Sequence, residues 1–179
     1  MKTFLLTSFI LLSTLVSAQK ITALKQVSGT DSVSSGNCII YGNFIQRLGF
    51  TSGGYPQDIR IENADTKEVF SFRVKPTFKS AKENTFCFFI KPGTYNIINY
   101  WYTESKWYGG KMFTEPVIDQ ENRTFKFTIK EPLNYLGNWH FKTKEASFTD
   151  DKLALDEKVK GEYKLLDFVN APKVIPSAL

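Results

Sequence analysis

Few residues in this sequence are able to do acid–base chemistry. His140 is the only histidine, which excludes a histidine-rich metal site, and strand alternation predicts an exposed position for it on a polar face. No nucleophile motif such as Gly-x-Ser-x-Gly is present, although His140 with nearby acids leaves an envelope hydrolase, or an accessory of one, as an alternative. The acidic pairs Asp150, Asp151 and Asp156, Glu157 suit a helix cap and a solvated helix face. We therefore predict a non-enzyme with no catalytic residue, metal or cofactor.

Two cysteines, Cys38 and Cys87, are the remaining reactive side chains. Both lie in predicted strands, and an exported chain with an even cysteine count is able to form one disulfide. Two separate buried thiols that act as small apolar side chains explain the pattern equally well. Neither cysteine has a second Cys or a His at zinc-ligand spacing, so the open alternatives are a disulfide and two free thiols.

The most unusual feature is aromatic, with five large rings between residues 100 and 108. Tyr and Trp combine a flat apolar ring with a polar group, which suits stacking on sugars or anchoring a protein partner. We predict Tyr100, Tyr102, Trp107 and Tyr108 as ligand-binding residues, and the alternative is that the rings fill the core and cover a sheet edge. Trp101 lies inside an apolar run and is expected to be packed, whereas Trp107 follows a polar connection and is expected to be exposed.

Strands are the elements that must position these residues. Runs that alternate between apolar and polar residues predict half-buried strands at 59–62, 70–75 and 125–130. Runs that are apolar on both faces predict central strands at 38–45, 86–90 and 95–102. In the run 133–142 we expect one shared face for Leu133, Tyr135, Trp139 and Phe141.

Turn and helix signals separate and follow these runs. Residues 63–67 are expected to form a hairpin loop, and residues 91–94 hold Pro and Gly at the positions of a type II turn. After Thr149 two aspartates are able to cap a helix. The predicted apolar stripe of this helix is Leu153, Leu155, Val159, Tyr163 and Leu166.

The N-terminus reads as a secretory signal. Lys2 precedes an apolar run at 4–16, and small residues before position 19 place the cleavage after Ala18. The run is shorter than the roughly 20 residues that a membrane span requires, and no cysteine follows the cleavage point to carry a lipid anchor. The net charge of +5 comes from scattered basic residues, which argues against a nucleic-acid partner. The sequence predicts an exported protein, periplasmic or secreted, with no membrane span.

Two local patterns resemble a known family. One is FFIKPGTYNI at 88–97, and the other is FKFTI at 125–129 followed by YLG at 135–137. Together they resemble small exported bacterial β-sandwich proteins that are similar to carboxypeptidase-regulatory-like, or prealbumin-like, domains. The resemblance covers residues 37–164 and implies that the first pattern forms a central hairpin. The family is largely of unknown function, so the resemblance implies no catalytic residues.

The sequence as a whole predicts a mostly β protein, an antiparallel, prealbumin-like β-sandwich with a short C-terminal helix. The predicted segments are a signal peptide at 1–18, a flexible lead-in at 19–36, the sandwich domain at 37–148, a helical segment at 149–167 and an extended tail at 168–179. The expected function is a non-enzymatic binding or interaction module with a protein or glycan partner in the envelope or outside the cell. A carbohydrate-binding module that uses the aromatic residues is the alternative.

Overall fold

The structure, a computed structural model, describes residues 20–45, 57–74, 83–108, 111–119, 125–142 and 145–179. For residues 57, 58, 74, 83, 100–108, 111–119, 141, 142 and 145 it describes the backbone alone. The predicted signal peptide lies outside the described residues. The described chain forms eleven strands and one helix: β1 (Ile21–Ala23), β2 (Cys38–Ile45), β3 (Gln57–Asn63), β4 (Val69–Val74), β5 (Glu83–Ile90), β6 (Gly93–Tyr108), β7 (Lys111–Asp119), β8 (Phe125–Ile129), β9 (Leu133–Lys142), β10 (Glu145–Thr149), α1 (Lys152–Val159) and β11 (Ser177–Ala178).

The strands form two sheets, which confirms the prediction of a mostly β protein. A seven-stranded sheet has the order β1-β4-β3-β6-β8-β11, with β7 paired to β6, and a four-stranded sheet has the order β10-β9-β2-β5. The pairs β1–β4 and β2–β9 are parallel, so both sheets are mixed rather than antiparallel throughout. Each parallel pair joins strands that are distant in sequence, because parallel neighbours cannot be linked by a short turn.

The two sheets share one hydrophobic cluster, which we call the inner core. Its buried members come from both sheets: Cys38, Ile40, Phe44, Ile59, Ile61, Phe72, Phe86, Phe88, Ile90, Tyr95, Ile97, Phe127, Ile129, Leu136 and Trp139. The alternation predicted at 59–62 and 125–130 is confirmed, because Ile59, Ile61, Phe127 and Ile129 are buried while Lys126 and Thr128 are exposed. The predicted hairpin loop at 63–67 is also present, and Asn63 Oδ1 accepts hydrogen bonds from the backbone amides of Asp65 and Thr66.

The other face of the four-stranded sheet is covered by the C-terminal part of the chain, and this second cluster is the outer core. Its members are Val27, Ile39, Tyr41, Cys87, Leu133, Tyr135, Leu155, Val159, Tyr163, Leu166, Phe168 and Ala171. The helix is shorter than the predicted segment. The prediction that Leu153 belongs to its apolar stripe is wrong, since Leu153 is 83% exposed. Lys152 takes the inward position instead.

The Pro-Gly turn after Ile90 joins the two sheets. β5 pairs with β2 in the four-stranded sheet, whereas β6 pairs with β3 and β8 in the seven-stranded sheet. The central hairpin that the family resemblance implies is therefore wrong. The physical reason is that Phe88 of β5 and Tyr95 of β6 belong to the same inner core, so the two strands face each other across it instead of pairing edge to edge.

A β-bulge in β9 corrects the face assignment predicted for residues 133–142. Between the pairs Tyr41–Tyr135 and Asn43–Asn138, β9 has one residue more than β2, and Gly137 there has φ +85°. An extra residue reverses the alternation that follows it. Tyr135 therefore faces the outer core, whereas Trp139 faces the inner core. The prediction that these two side chains share a face is wrong.

Both ends of the described chain are tied to the sheets. In the predicted flexible lead-in, β1 pairs with β4, and the Val27 amide donates to the Cys87 carbonyl at 3.0 Å. In the predicted extended tail, the Val174 amide donates to the Tyr135 carbonyl at 2.7 Å, and β11 pairs with β8. Residues 21–27 of the lead-in and residues 172–174 and 177–178 of the tail thus occupy strand edges that would otherwise expose backbone groups.

The two cysteines are free thiols on opposite faces of the four-stranded sheet. Cys38 belongs to the inner core and is opposite Ile90, whereas Cys87 belongs to the outer core and is opposite Tyr41. A disulfide requires Cα atoms within about 7 Å and Cβ atoms that point toward each other. Of the two alternatives, a disulfide or two free thiols, the structure shows two separate buried thiols.

We expect both thiols to resist an aromatic disulfide reagent in the folded protein and to react as two thiols after denaturation. Burial raises the pKa of Cys87 to about 12 and that of Cys38 above its usual value, so little of the reactive thiolate exists at mildly alkaline pH. The measurement compares thiol titration in buffer and in guanidinium chloride. An absence of titratable thiols in guanidinium, with two appearing after reduction, would contradict the structure.

Candidate functional site

Strand β6 is long, and its two halves have different partners. It has 16 residues, against 7 in β3 and 5 in β8. Residues 93–101 pair with β3 or β8, whereas residues 100–108 pair with β7. Beyond Trp101 no third strand of the described chain pairs with β6 or β7. Residues 102–108 and 111–117 therefore form a two-stranded extension of the seven-stranded sheet, which we call the ribbon.

The local sequence explains why the ribbon turns where it does. Tyr108 is opposite Lys111, so two residues, Gly109 and Gly110, make the connection and lie outside the described residues. Gly-Gly suits the two-residue hairpin turns, because these turns need positive φ. Tyr108 is seven residues after Trp101, which corresponds to about 23 Å of strand beyond the last pair with β3.

The four predicted binding residues are in register with β7, which places them on one strand but at different distances from the sheet. The pairs are Tyr100 with Asp119, Tyr102 with Val117, Trp107 with Met112 and Tyr108 with Lys111. Tyr100 is also opposite Ile59, an inner-core residue, so it is at the base of the ribbon. The side chains of these four residues lie outside the described residues, and their role as binding residues stays a prediction.

The register assigns sheet faces to Trp101, at the base of the ribbon, and to Trp107, within the ribbon. Trp101 is opposite Asp58, one position from the inner-core residue Ile59. Because neighbouring residues of a strand alternate between faces, position 101 belongs to the face of the sheet away from the inner core. Trp107 is six residues further along the strand, an even number, so position 107 belongs to the same face as position 101. The expectation that Trp101 is packed and Trp107 exposed stays a prediction, since both side chains lie outside the described residues.

His140 lies in a cross-strand environment of hydroxyl groups. Its Nε2 is 2.9 Å from Thr149 Oγ1, and Ser147 of β10 is its register partner. The half-buried imidazole thus sits on the outer surface of a strand pair. A hydrolytic site needs a nucleophile, a base and an orienting group converging on one point. The hydrolase alternative stays a prediction.

A polar row crosses the four-stranded sheet beside His140. The row consists of successive register partners on four neighbouring strands, on the face that carries the outer core: Thr85, Asn43, Asn138 and Thr149. Thr85 Oγ1 donates to Asn43 Oδ1 at 3.0 Å, and Asn138 Oδ1 has no hydrogen-bond partner among the described groups. Asn43 and Asn138 are only 4% and 5% exposed, so these two side chains are closed to a ligand.

Sequence reasoning missed a buried polar network under the C-terminal helix. Lys152 Nζ donates to Asp156 Oδ2 at 2.6 Å and to the Phe168 carbonyl at 2.5 Å, and Tyr41 Oη donates to Asp156 Oδ1 at 2.7 Å. Burial raises the pKa of the Tyr41 hydroxyl well above its usual value, and its hydrogen bond to Asp156 adds to the rise. The Tyr135 hydroxyl accepts the Asp151 amide at 2.9 Å. The network fastens the helix to strands β2 and β9 of the sheet.

Metal and membrane signals are not found within the described ranges. No group of His, Cys, Asp or Glu side chains in the described part of the chain is able to hold a metal ion. The one helix that the structure describes is too short to cross a bilayer.

Comparison with known proteins gives one distant structural similarity. No family model and no curated protein matches this chain. Among solved structures, the chain is similar to a leucine-rich repeat protein from Bacteroides thetaiotaomicron VPI-5482, with 17% sequence identity and a TM-score of 0.41. The similarity covers 73% of this chain and 16% of that chain. This chain therefore spans about a sixth of the length of that protein.

Proposed function

We propose that the protein is an exported, non-enzymatic β-sandwich module that acts by binding, and that the ribbon is its binding element. The inner core, built from the facing sides of both sheets, supports the sandwich architecture. Export rests on the predicted signal peptide at 1–18. The relationship to carboxypeptidase-regulatory-like domains remains part of the proposal.

The observation that carries the proposal is the ribbon itself. A two-stranded hairpin is only marginally stable in water unless it packs against something else. This one continues past the sheet, and three of its β6 residues, Tyr102, Trp107 and Tyr108, are aromatic, with Tyr100 and Trp101 at its base. Residues of this type supply large contact areas and are enriched at binding hot spots. A projecting hairpin of this composition is best explained by a partner that contacts it.

A carbohydrate ligand is the second candidate, and one feature of the register favours it. Strand alternation groups positions 101, 103, 105 and 107 of β6 with 112, 114, 116 and 118 of β7 on one face of the ribbon and its base. These positions hold Trp, Thr, Ser and Trp on β6, and Met, Thr, Pro and Ile on β7, with no charged residue. Tryptophan rings with hydroxyl groups between them suit a neutral sugar chain.

A shortened ribbon tests the proposed function. Removing residues 105–114 and joining Glu104 to Glu115 through two glycines keeps the ribbon base and both cores. We expect the melting temperature to change by less than about 2 °C, because the removed rungs are outside both cores. The intact protein should retain envelope proteins or immobilised neutral glycans that the shortened protein does not retain.

His140→Ala is the matched control and should behave like the intact protein in the same retention assay. Identical retention by the intact and shortened proteins would overturn the ribbon as binding element. A hydrolase activity that disappears in folded His140→Ala would overturn the non-enzymatic assignment.

A further inference from the structure

The outermost part of the ribbon has a composition different from the rest. Its last three rungs pair Lys106 with Phe113, Trp107 with Met112, and Tyr108 with Lys111. We call residues 106–108 and 111–113 the ribbon tip; it holds four large apolar residues, two lysines and no acidic residue. The three rungs before it, at 103–105 and 114–116, hold Thr, Glu and Ser opposite Pro, Glu and Thr, in that order, and separate the tip from the aromatic base.

Large apolar positions occur on both faces of the tip. Alternation assigns Trp107 and Met112 to one face, and Tyr108 and Phe113 to the other. In the described chain no strand beyond β6 and β7 pairs in this region, and a ribbon has no second layer of its own. A flat protein or glycan partner would use one face. Apolar residues on both faces instead suit surroundings that are apolar around the whole hairpin.

We propose that the ribbon tip docks onto a phospholipid bilayer surface that carries anionic headgroups. This inference rests on the proposed function, since it names the partner of the same ribbon. Trp and Tyr favour the membrane–water interface, and the two lysines complement anionic headgroups. Three rungs measure about 10 Å, close to the depth of roughly 5–10 Å at which interfacial segments bury their apolar residues.

The backbone of the ribbon limits how deep the tip goes. Both outer edges of a two-stranded ribbon carry unpaired amide and carbonyl groups, which the hydrocarbon core does not tolerate but the hydrated headgroup region does. The tip therefore docks at the interface and does not span the bilayer.

Vesicle binding by the mature protein, residues 19–179, tests the proposal, in a Trp139→Phe background so that the remaining tryptophans, Trp101 and Trp107, report on the ribbon. The probes are phosphatidylcholine vesicles with and without phosphatidylglycerol. We expect cosedimentation with the anionic vesicles, a blue shift of the emission, and quenching by brominated acyl chains. Trp107→Ala should weaken binding at least about tenfold. Lys106→Ala and Lys111→Ala should each weaken it about fivefold, and added salt should weaken it further.

Two exposed lysines elsewhere provide the matched control. Lys126→Ala and Lys130→Ala remove the same charge from β8 and from the residue after it, and they should leave vesicle binding unchanged. All variants should keep the parent melting temperature, since none removes a residue of either core. Binding that is equally lost in the β8 variants, or unaffected by Trp107→Ala, would overturn the tip as docking site.

The outcomes separate this inference from the proposed function. Failure to bind anionic vesicles, with ribbon-dependent retention of a glycan or an envelope protein, overturns the membrane assignment and leaves the proposed function standing. Failure of both assays overturns both. Vesicle binding that needs the ribbon tip supports both.

Discussion

Lys152→Ala should lower the free energy of unfolding by about 3–5 kcal/mol, because it leaves the charge of Asp156 buried and uncompensated. The side chains of Lys152 and Asp156 are only 8% and 13% exposed, and their contact is 2.6 Å. The substitution also removes the donor to the Phe168 carbonyl, which helps to hold the chain after the helix. Urea unfolding measures the change, and the expected fall in melting temperature is about 6–20 °C.

Another lysine of the same segment provides the matched control. Lys160 pairs with Glu157, but their side chains are 59% and 72% exposed, so Lys160→Ala should cost less than about 0.5 kcal/mol. A loss below about 1 kcal/mol in Lys152→Ala would mean that the Lys152–Asp156 pair is solvated and that the helix is fastened by the outer core alone.

A combined replacement separates the cost of burying the charges of Lys152 and Asp156 from the attraction between them. Lys152→Met with Asp156→Leu removes both charges, and Tyr41→Phe removes the hydroxyl that would then lose its acceptor. Replacing a whole buried network by apolar side chains of similar volume is often neutral or stabilising. We expect the triple variant to recover most of the stability that Lys152→Ala loses. The network is then a device for positioning the helix rather than a net source of stability.

The strands with strict alternation were predictable from the sequence, since one physical rule decides them. Ile59, Ile61, Phe127 and Ile129 recur with a period of two, and each is buried on the inner side of the seven-stranded sheet. The loop at 63–67 was predictable for a similar reason, because the Asn63 side chain caps its own turn.

The features that the sequence did not reveal depend on contacts between distant residues. The β9 bulge exists because Gly137 adopts φ +85° opposite β2, about 95 residues earlier in the chain. Gly137 is the one glycine of the run 133–142, and a glycine inside a strand pattern is a signal for a bulge, but the run itself does not show which strand lies opposite it. Burial of Lys152 likewise needs Tyr41 and the Phe168 carbonyl, which only the fold brings together. Of the predicted site, the register of the aromatic strand is known, and the exposure of its rings stays a prediction.

Trp139→Ala should lower the free energy of unfolding by about 3–5 kcal/mol, as expected for a large ring removed from a closed core. Trp139 is fully buried, and its ring centroid lies 5.7 Å from that of Phe72, 5.5 Å from Phe86 and 5.4 Å from Phe148. Phe72 comes from the seven-stranded sheet and the other two from the four-stranded sheet, so this ring joins the two sheets. Thermal and urea unfolding provide the measurement.

Trp139→Phe and Leu153→Ala are the control variants for Trp139→Ala. The phenylalanine keeps a ring in the core but removes the indole N–H that donates to the Leu136 carbonyl, a hydrogen bond of 2.8 Å beside the β9 bulge. Trp139→Phe should therefore lower the free energy of unfolding, but by less than Trp139→Ala does. Leu153 is exposed on the helix, and Leu153→Ala should change stability by less than about 0.5 kcal/mol. If Trp139→Ala cost no more than Leu153→Ala, position 139 would face solvent. The bulge would then not reverse the alternation of β9, and the two sheets would not be joined through this ring.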